Sequence, residues 1–171
     1  MNILRRLAFP AGIAAVLAVF GSASAASADP GTILRFDTMA PVTGPYVGPA
    51  NPIRGMPGGG LPWMIDGGRG SLSSEGRLAV RVNELVLANR APVPPALRGT
   101  NPIAQMKAVV SCLSISAAGT ATVTNVSTGT FPVSKEGDGS IRTTVQLPHP
   151  CIAPIVFVTS PGGAWFAATG N

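Results

Sequence analysis

Few residues in this chain offer chemistry, and they are easily named. Cys112 and Cys151 are its only cysteines, and the lone histidine, His149, stands two residues before the second. An even count of cysteines in an exported chain points to a disulfide, because oxidising compartments preserve such bonds. Closing the loop between positions 112 and 151 would stabilise the fold by roughly 4 kcal/mol by restricting the unfolded chain. A zinc site takes four ligands, and two cysteines with one histidine fall short without an acid. His149-Pro150-Cys151 is similar to part of a blue-copper ligand set, but such centres need a second histidine. No metal and no cofactor are expected.

Hydrolytic chemistry finds equally little. The sequence has no G-x-S-x-G elbow, no H-E-x-x-H and no G-x-x-x-x-G-K-[ST] loop. Gly55 to Gly60 is glycine-rich but lacks the lysine of a phosphate-binding loop. Paired carboxylates must converge from different elements. Asp29 is terminal to the mature chain, and Glu75, Glu136 and Asp138 fall in turn sequences. That leaves Asp37 with Asp66 as the one pair to consider beside Glu84. Residues of this kind more often terminate strands, and no catalytic residue is assigned. Tyr46, Trp63, Trp165 and Phe166 form the candidate ligand-binding set, a platform of the kind glycan-binding sandwiches use. The competing reading places both tryptophans in the core, since aromatics are only 5% of the chain. Asn125-Val126-Ser127 fits a glycosylation acceptor, which matters only in a eukaryotic host. Arginine over lysine, with abundant Ala, Gly and Pro, points instead to a GC-rich bacterium.

The elements that must position these residues are strands. Glycine (21) and proline (17) are too frequent among the 171 residues for long helices. Thr32 to Asp37 reads as a first strand. Residues 40–62 read as an irregular Pro/Gly-rich stretch, with Tyr46, Ile53 and Met56 as possible anchors. Trp63 to Ile65 opens a strand that runs past Gly67 and Gly68, where a bulge is expected. Arg77 to Val82 alternates strictly, with Leu78, Val80 and Val82 on one face. The phase slips at Asn83-Glu84, predicting a bulge or a change of sheet. Gln105 to Ile115 and Thr120 to Val126 follow. Thr130 to Lys135 and Ile141 to Leu147 are expected to form a hairpin through Asp138-Gly139. Ile152 to Thr159 reads as a strand buried on both faces, and Trp165-Phe166 as a closing one. Asn51-Pro52-Ile53 and Asn101-Pro102-Ile103 suggest one turn device used twice. The expected fold is all-β, a single immunoglobulin-like β-sandwich of about eight short antiparallel strands over residues 29–171.

Residues 1–28 read as a signal peptide: Arg5 and Arg6, an apolar stretch from Leu7 to Phe20, then Ala26-Ser27-Ala28. That stretch is short of the ~20 residues a spanning helix needs, so no membrane span is expected after cleavage. Losing Arg5 and Arg6 lowers the formal charge by two, from +5 to +3. The remaining arginines (35, 54, 69, 77, 81, 90, 98 and 142) are dispersed along the sequence and read as solvated positions, which argues against a nucleic-acid partner. Only 11% of residues are charged, against about 25% in ordinary globular domains.

The phrases Asn-Pro-Ile, Pro-Gly-Gly-Gly-Leu-Pro-Trp and Leu-Pro-His-Pro-Cys resemble those of small secreted bacterial proteins of unassigned activity, a resemblance that implies no catalytic residues. In export, size and β-pattern the chain is also similar to carrier apoproteins of the neocarzinostatin type, which have two disulfides where this chain has one. The expectation is a secreted, non-catalytic binding or structural module of the envelope or medium, taking a glycan or another extracellular protein. The alternative is a carrier of a small apolar molecule, with Trp63, Trp165 and the Gly55–Gly60 loop at its mouth; a small hydrolase is the third class.

Overall fold

Short alternating apolar runs, punctuated by glycine and proline, favour pleated strands with one buried face. A computed structural model describes residues 31–169; the leader expected at 1–28 lies outside the described residues. The strands are β1 (Thr32–Phe36), β2 (Met39–Pro41), β3 (Trp63–Met64), β4 (Gly67–Ser73), β5 (Arg77–Asn83), β6 (Val86–Leu87), β7 (Gln105–Ile115), β8 (Ala121–Pro132), β9 (Gly139–Thr144), β10 (Ile152–Thr159) and β11 (Trp165–Thr169). A four-stranded sheet in the order β1-β4-β5-β9 faces a five-stranded sheet in the order β2-β11-β10-β7-β8, and β3 pairs with β6 as a separate ribbon. All of these strand pairs are antiparallel. The expected sandwich is there, with eleven strands among the described residues rather than about eight.

Its core is what the alternation dictates. Leu78, Val80 and Val82 of β5 turn inward beside Leu72 of β4, while Met106, Ala108, Val110 and Cys112 of β7 and Val156 and Val158 of β10 are fully or almost fully buried. These residues belong to one apolar cluster. Each buried Leu or Val contributes about 1.5–3 kcal/mol relative to exposure. The disulfide joins Cys112 in β7 to Cys151 just before β10, with Cα atoms 4.9 Å apart. It staples the entry of β10 to its neighbour within the five-stranded sheet.

Four local expectations are corrected. Gly67 and Gly68 pair in regular register with Asn83 and Val82, so no bulge forms there. The strand from Trp63 instead breaks at Ile65-Asp66, and its first part pairs with β6 after the predicted change of sheet at Asn83-Glu84. The hairpin through Asp138-Gly139 forms only at its base, where Val133 and Gly139 bridge antiparallel, and beyond that the segment crosses between sheets. Ser134 N–H donates to Asp138 O at 2.9 Å to close the turn, but β8 pairs along its length with β7, with one register shift, and β9 pairs with β5. The Asp138 carboxylate accepts from Glu84 N–H and Asn83 Nδ2 and ties the turn to the end of β5, in line with the β5–β9 ladder. Finally, the 40–62 stretch is not wholly irregular. Met39–Pro41 pairs with β11, Gly58 bridges Trp165 in parallel, and Val42 and Met56 are buried.

Ile152–Thr159 is buried on both faces only from Val156 onward; Ile152 and Ala153 are exposed.

Candidate functional site

The side chains that turn outward from the four-stranded sheet are not those singled out by type. Alternation sends Arg35 out from β1, Arg69 and Ser71 from β4, Arg77, Ala79 and Arg81 from β5, and Ser140 and Arg142 from β9. Every one of these arginines is exposed. Register then sets them in rows. Arg35 faces Ser71, which faces Ala79, which faces Arg142. In the next row Arg69 lies directly opposite Arg81, and Arg81 opposite Ser140. Arginines therefore flank a strip of small residues.

That strip forms the floor of a cavity of about 530 Å³, lined by Arg35, Asp37, Arg69, Ser71, Arg81 and Arg142 together with Gly70 and Ala79. Gly70 is required at its position, since a Cβ there would run into the Ala79 carbonyl and the Phe36 ring. The electrostatics are one-sided. The cavity holds the guanidinium groups of Arg35, Arg69, Arg81 and Arg142 against the single carboxylate of Asp37. Among the described residues the one ion pair is Arg77 with Glu75, so these four arginines have no carboxylate partner. Like charges set directly opposite on neighbouring strands destabilise a sheet. A guanidinium offers five donors in a planar fork that fits carboxylate, sulfate or phosphate groups. An anion lying along the strip would satisfy several forks at once.

Of the eight arginines expected to be solvated, Arg54, Arg90 and Arg98 lie outside the strands, and the other five, Arg35, Arg69, Arg77, Arg81 and Arg142, are exposed as expected but share one sheet face. They are scattered in sequence and gathered by register, because β5 pairs with β4 on one side and β9 on the other. The outward parity of Arg77, Arg81 and Arg142 is visible in the alternation; the strand pairing that sums them is not.

The aromatic set is brought together, but inside. Trp63 stacks on Phe166 with ring centroids 4.1 Å apart, and Trp165 lies between Tyr46 at 6.4 Å and Phe157 at 6.0 Å. Trp63, Trp165 and Phe166 are at most 5% exposed, and Tyr46, at 45%, is the member that reaches solvent. The Gly55–Gly60 stretch closes over them. Gly59 N–H donates to Trp165 O and Trp165 N–H to Pro57 O, and a side chain at Gly59 would meet the Phe166 ring. Trp165 Nε1 is buried without a hydrogen-bond partner.

Asp37 lines the arginine cavity and Asp66 does not; Asp66 is exposed where β4 begins, its N–H donating to Asn83 O. His149 lines a cavity of about 110 Å³ with Ile33, Ser74, Leu147 and Cys151, and Cys151, bonded to Cys112, has no thiolate to offer. Asn125 stands in β8, its Nδ2 donating to Arg54 O at 3.1 Å. Among the described residues no helix is long and apolar enough to cross a membrane, and the disulfide fits an extracellular protein.

Fold and face together define a class: a disulfide-stapled β-sandwich with one strongly basic sheet surface. Compared with known protein families, curated proteins and solved structures, the chain matches none.

Proposed function

We propose that this protein is a secreted, non-catalytic binding module of the cell envelope or its surroundings, and that its working surface is the arginine face of the four-stranded sheet. The ligand class is an anionic glycan carrying carboxylate, sulfate or phosphate groups. The observation that carries this reading is the row-by-row placement of Arg35, Arg69, Arg81 and Arg142 around a floor of small residues, with no carboxylate partner among the described residues. Neighbouring strands lie about 4.8 Å apart, so the rows present charge in a shallow grid suited to an extended chain. Export, inferred from the leader, puts that grid where such polymers are found.

The test is co-sedimentation of oxidised protein (residues 29–171) with the producer's envelope fraction, beside an Arg69→Ala/Arg81→Ala variant. A second variant, Arg90→Ala/Lys135→Ala, removes equal charge away from the face. Wild type and the off-face variant are expected to pellet, and the on-face variant to stay in the supernatant. Equal loss in both variants would mean diffuse attraction to a basic protein and would overturn the reading.

A further inference from the structure

The two sheets share the charge unequally. The four-stranded sheet carries Arg35, Arg69, Arg77, Arg81 and Arg142, whereas the strands of the five-stranded sheet carry one charged residue, Lys107. The outermost strand on one side of that neutral sheet is β8. It is 12 residues long, with no Lys, Arg, Asp or Glu and no proline before Pro132. Natural sheets usually blunt such an edge with charge, proline or a bulge. The one irregularity here lies opposite Lys107–Val109, where Ala108 N–H donates to Thr128 Oγ1 at 3.0 Å. Ala121 to Ser127 is left regular, and its side chains are exposed or half-buried throughout.

The hairpin tells which backbone groups are open. Ser116 N–H donates to Thr120 O, and Thr122, Thr124 and Val126 are in register with Ser114, Cys112 and Val110. Antiparallel alternation therefore turns the N–H and C=O of Thr122, Thr124 and Val126 toward β7. Those of Ala121, Val123 and Asn125 point outward, where the sheet ends. On the solvent face an apolar row crosses three strands in register, Ile152 to Leu113 to Val123. These side chains are 53%, 41% and 43% exposed, and Ile115 beside them is 52% exposed.

We infer that two copies of this protein pair antiparallel through β8, about a two-fold axis at Val123, to give one sheet continuous across both. The open groups of a strand edge are matched by another strand, and the two-fold makes a second copy the one that fits. Val123 meets Val123 of the partner subunit, Ala121 meets Asn125 of the partner subunit, and the apolar row runs on into its own image. Charge agrees in detail. Residues 29–171 carry formal charge +3 (+5 less Arg5 and Arg6), so two copies repel through the arginine face. By contrast, β8 itself carries no charged side chain, and Arg54, whose O accepts from Asn125 Nδ2, turns its guanidinium to Ser111 O. The axis stands perpendicular to the sheet, so both four-stranded sheets lie on the same side. Resting on the function proposed above, the pair would offer two arginine faces to one polymer; the pairing itself does not depend on that reading.

Sedimentation velocity of oxidised protein (residues 29–171) over a concentration series tests the inference without any ligand. Wild type is expected to show a reversible monomer–dimer equilibrium. Val123→Pro removes an outward N–H and spares the ladder to β7, and Val123→Lys sets two ammonium groups on the axis; both are expected to be monomeric. Should the proline variant fail to fold, the lysine variant still decides. Arg69→Ala/Arg81→Ala is expected to remain dimeric, which separates failure of pairing from failure of ligand binding. A wild type that stays monomeric at millimolar concentration, or a dimer that survives Val123→Lys, overturns the inference.

Discussion

Arg69 and Arg81 set like charges directly opposite each other and have no ion-pair partner among the described residues. Directly opposed like charges on adjacent strands are destabilising, and among the described residues no carboxylate stands within ion-pair reach of either. The on-face variant that loses ligand should therefore unfold at the same or a slightly higher urea concentration than wild type. The cysteines present the opposite case, wholly internal in effect. Cys112 is fully buried in β7 and Cys151 fixes the entry of β10, so the bond closes a long loop and adds no new apolar surface. A Cys112→Ala/Cys151→Ala variant is expected to lose roughly 4 kcal/mol by urea unfolding, a large share of the about 5–15 kcal/mol that holds a domain together. A loss below about 1 kcal/mol would show that the unfolded chain already holds those ends together. The two cysteines were legible from count and compartment alone. The arginine face was not, because its members share no motif and meet only through strand pairing.

Among the elements, the two Asn-Pro-Ile segments show what local sequence can and cannot carry. Both isoleucines are half-buried against the core, as apolar anchors after a turn should be. The asparagines differ. Asn101 is 5% exposed; its Nδ2 donates to Ile103 O and Ser134 O, and its Oδ1 accepts from Ile103 N–H. Asn51 makes one exposed bond, Nδ2 to Pro45 O. The difference is the neighbour: Asn101 lies against the β8–β9 crossing, and Asn51 lies on the surface. Asn101→Ala should cost about 2–3 kcal/mol by leaving buried groups unpaired, and Asn51→Ala under about 1 kcal/mol. Equal costs would mean the contact with Ser134 carries nothing. Strand positions were legible in the same way, since β5, β7 and β10 announce themselves by alternation or apolar runs. Their partners were not. The strong Asp-Gly turn dipeptide predicts a hairpin, and the hairpin begins with the Val133–Gly139 bridge, but the six-residue ladder of β9 with β5 and the contacts of Asp138 with Glu84 N–H and the Asn83 side chain lie far off in sequence.

At the scale of the whole molecule, the segregation of charge joins the two proposals. A sandwich has two outer faces, and this one carries Arg35, Arg69, Arg77, Arg81 and Arg142 on the strands of one sheet and a single charged residue, Lys107, on the strands of the other. If β8 pairs two copies with their arginine faces on the same side, a long anionic polymer engages both faces. The second contact then forms at the effective concentration of a tethered ligand, which can raise apparent affinity about 10²-fold or more without any new contact. A sulfated oligosaccharide too short to reach from one face to the other gains nothing from the second copy. The expected outcome is therefore a split. By titration at fixed salt, Val123→Lys should bind the short oligosaccharide as wild type does and bind the long polymer far more weakly. Arg69→Ala/Arg81→Ala should lose both. If Val123→Lys left affinity for the long polymer unchanged, each arginine face would be acting alone, and the dimer, even if present, would serve the neutral sheet by covering its edge rather than the charged sheet by doubling it.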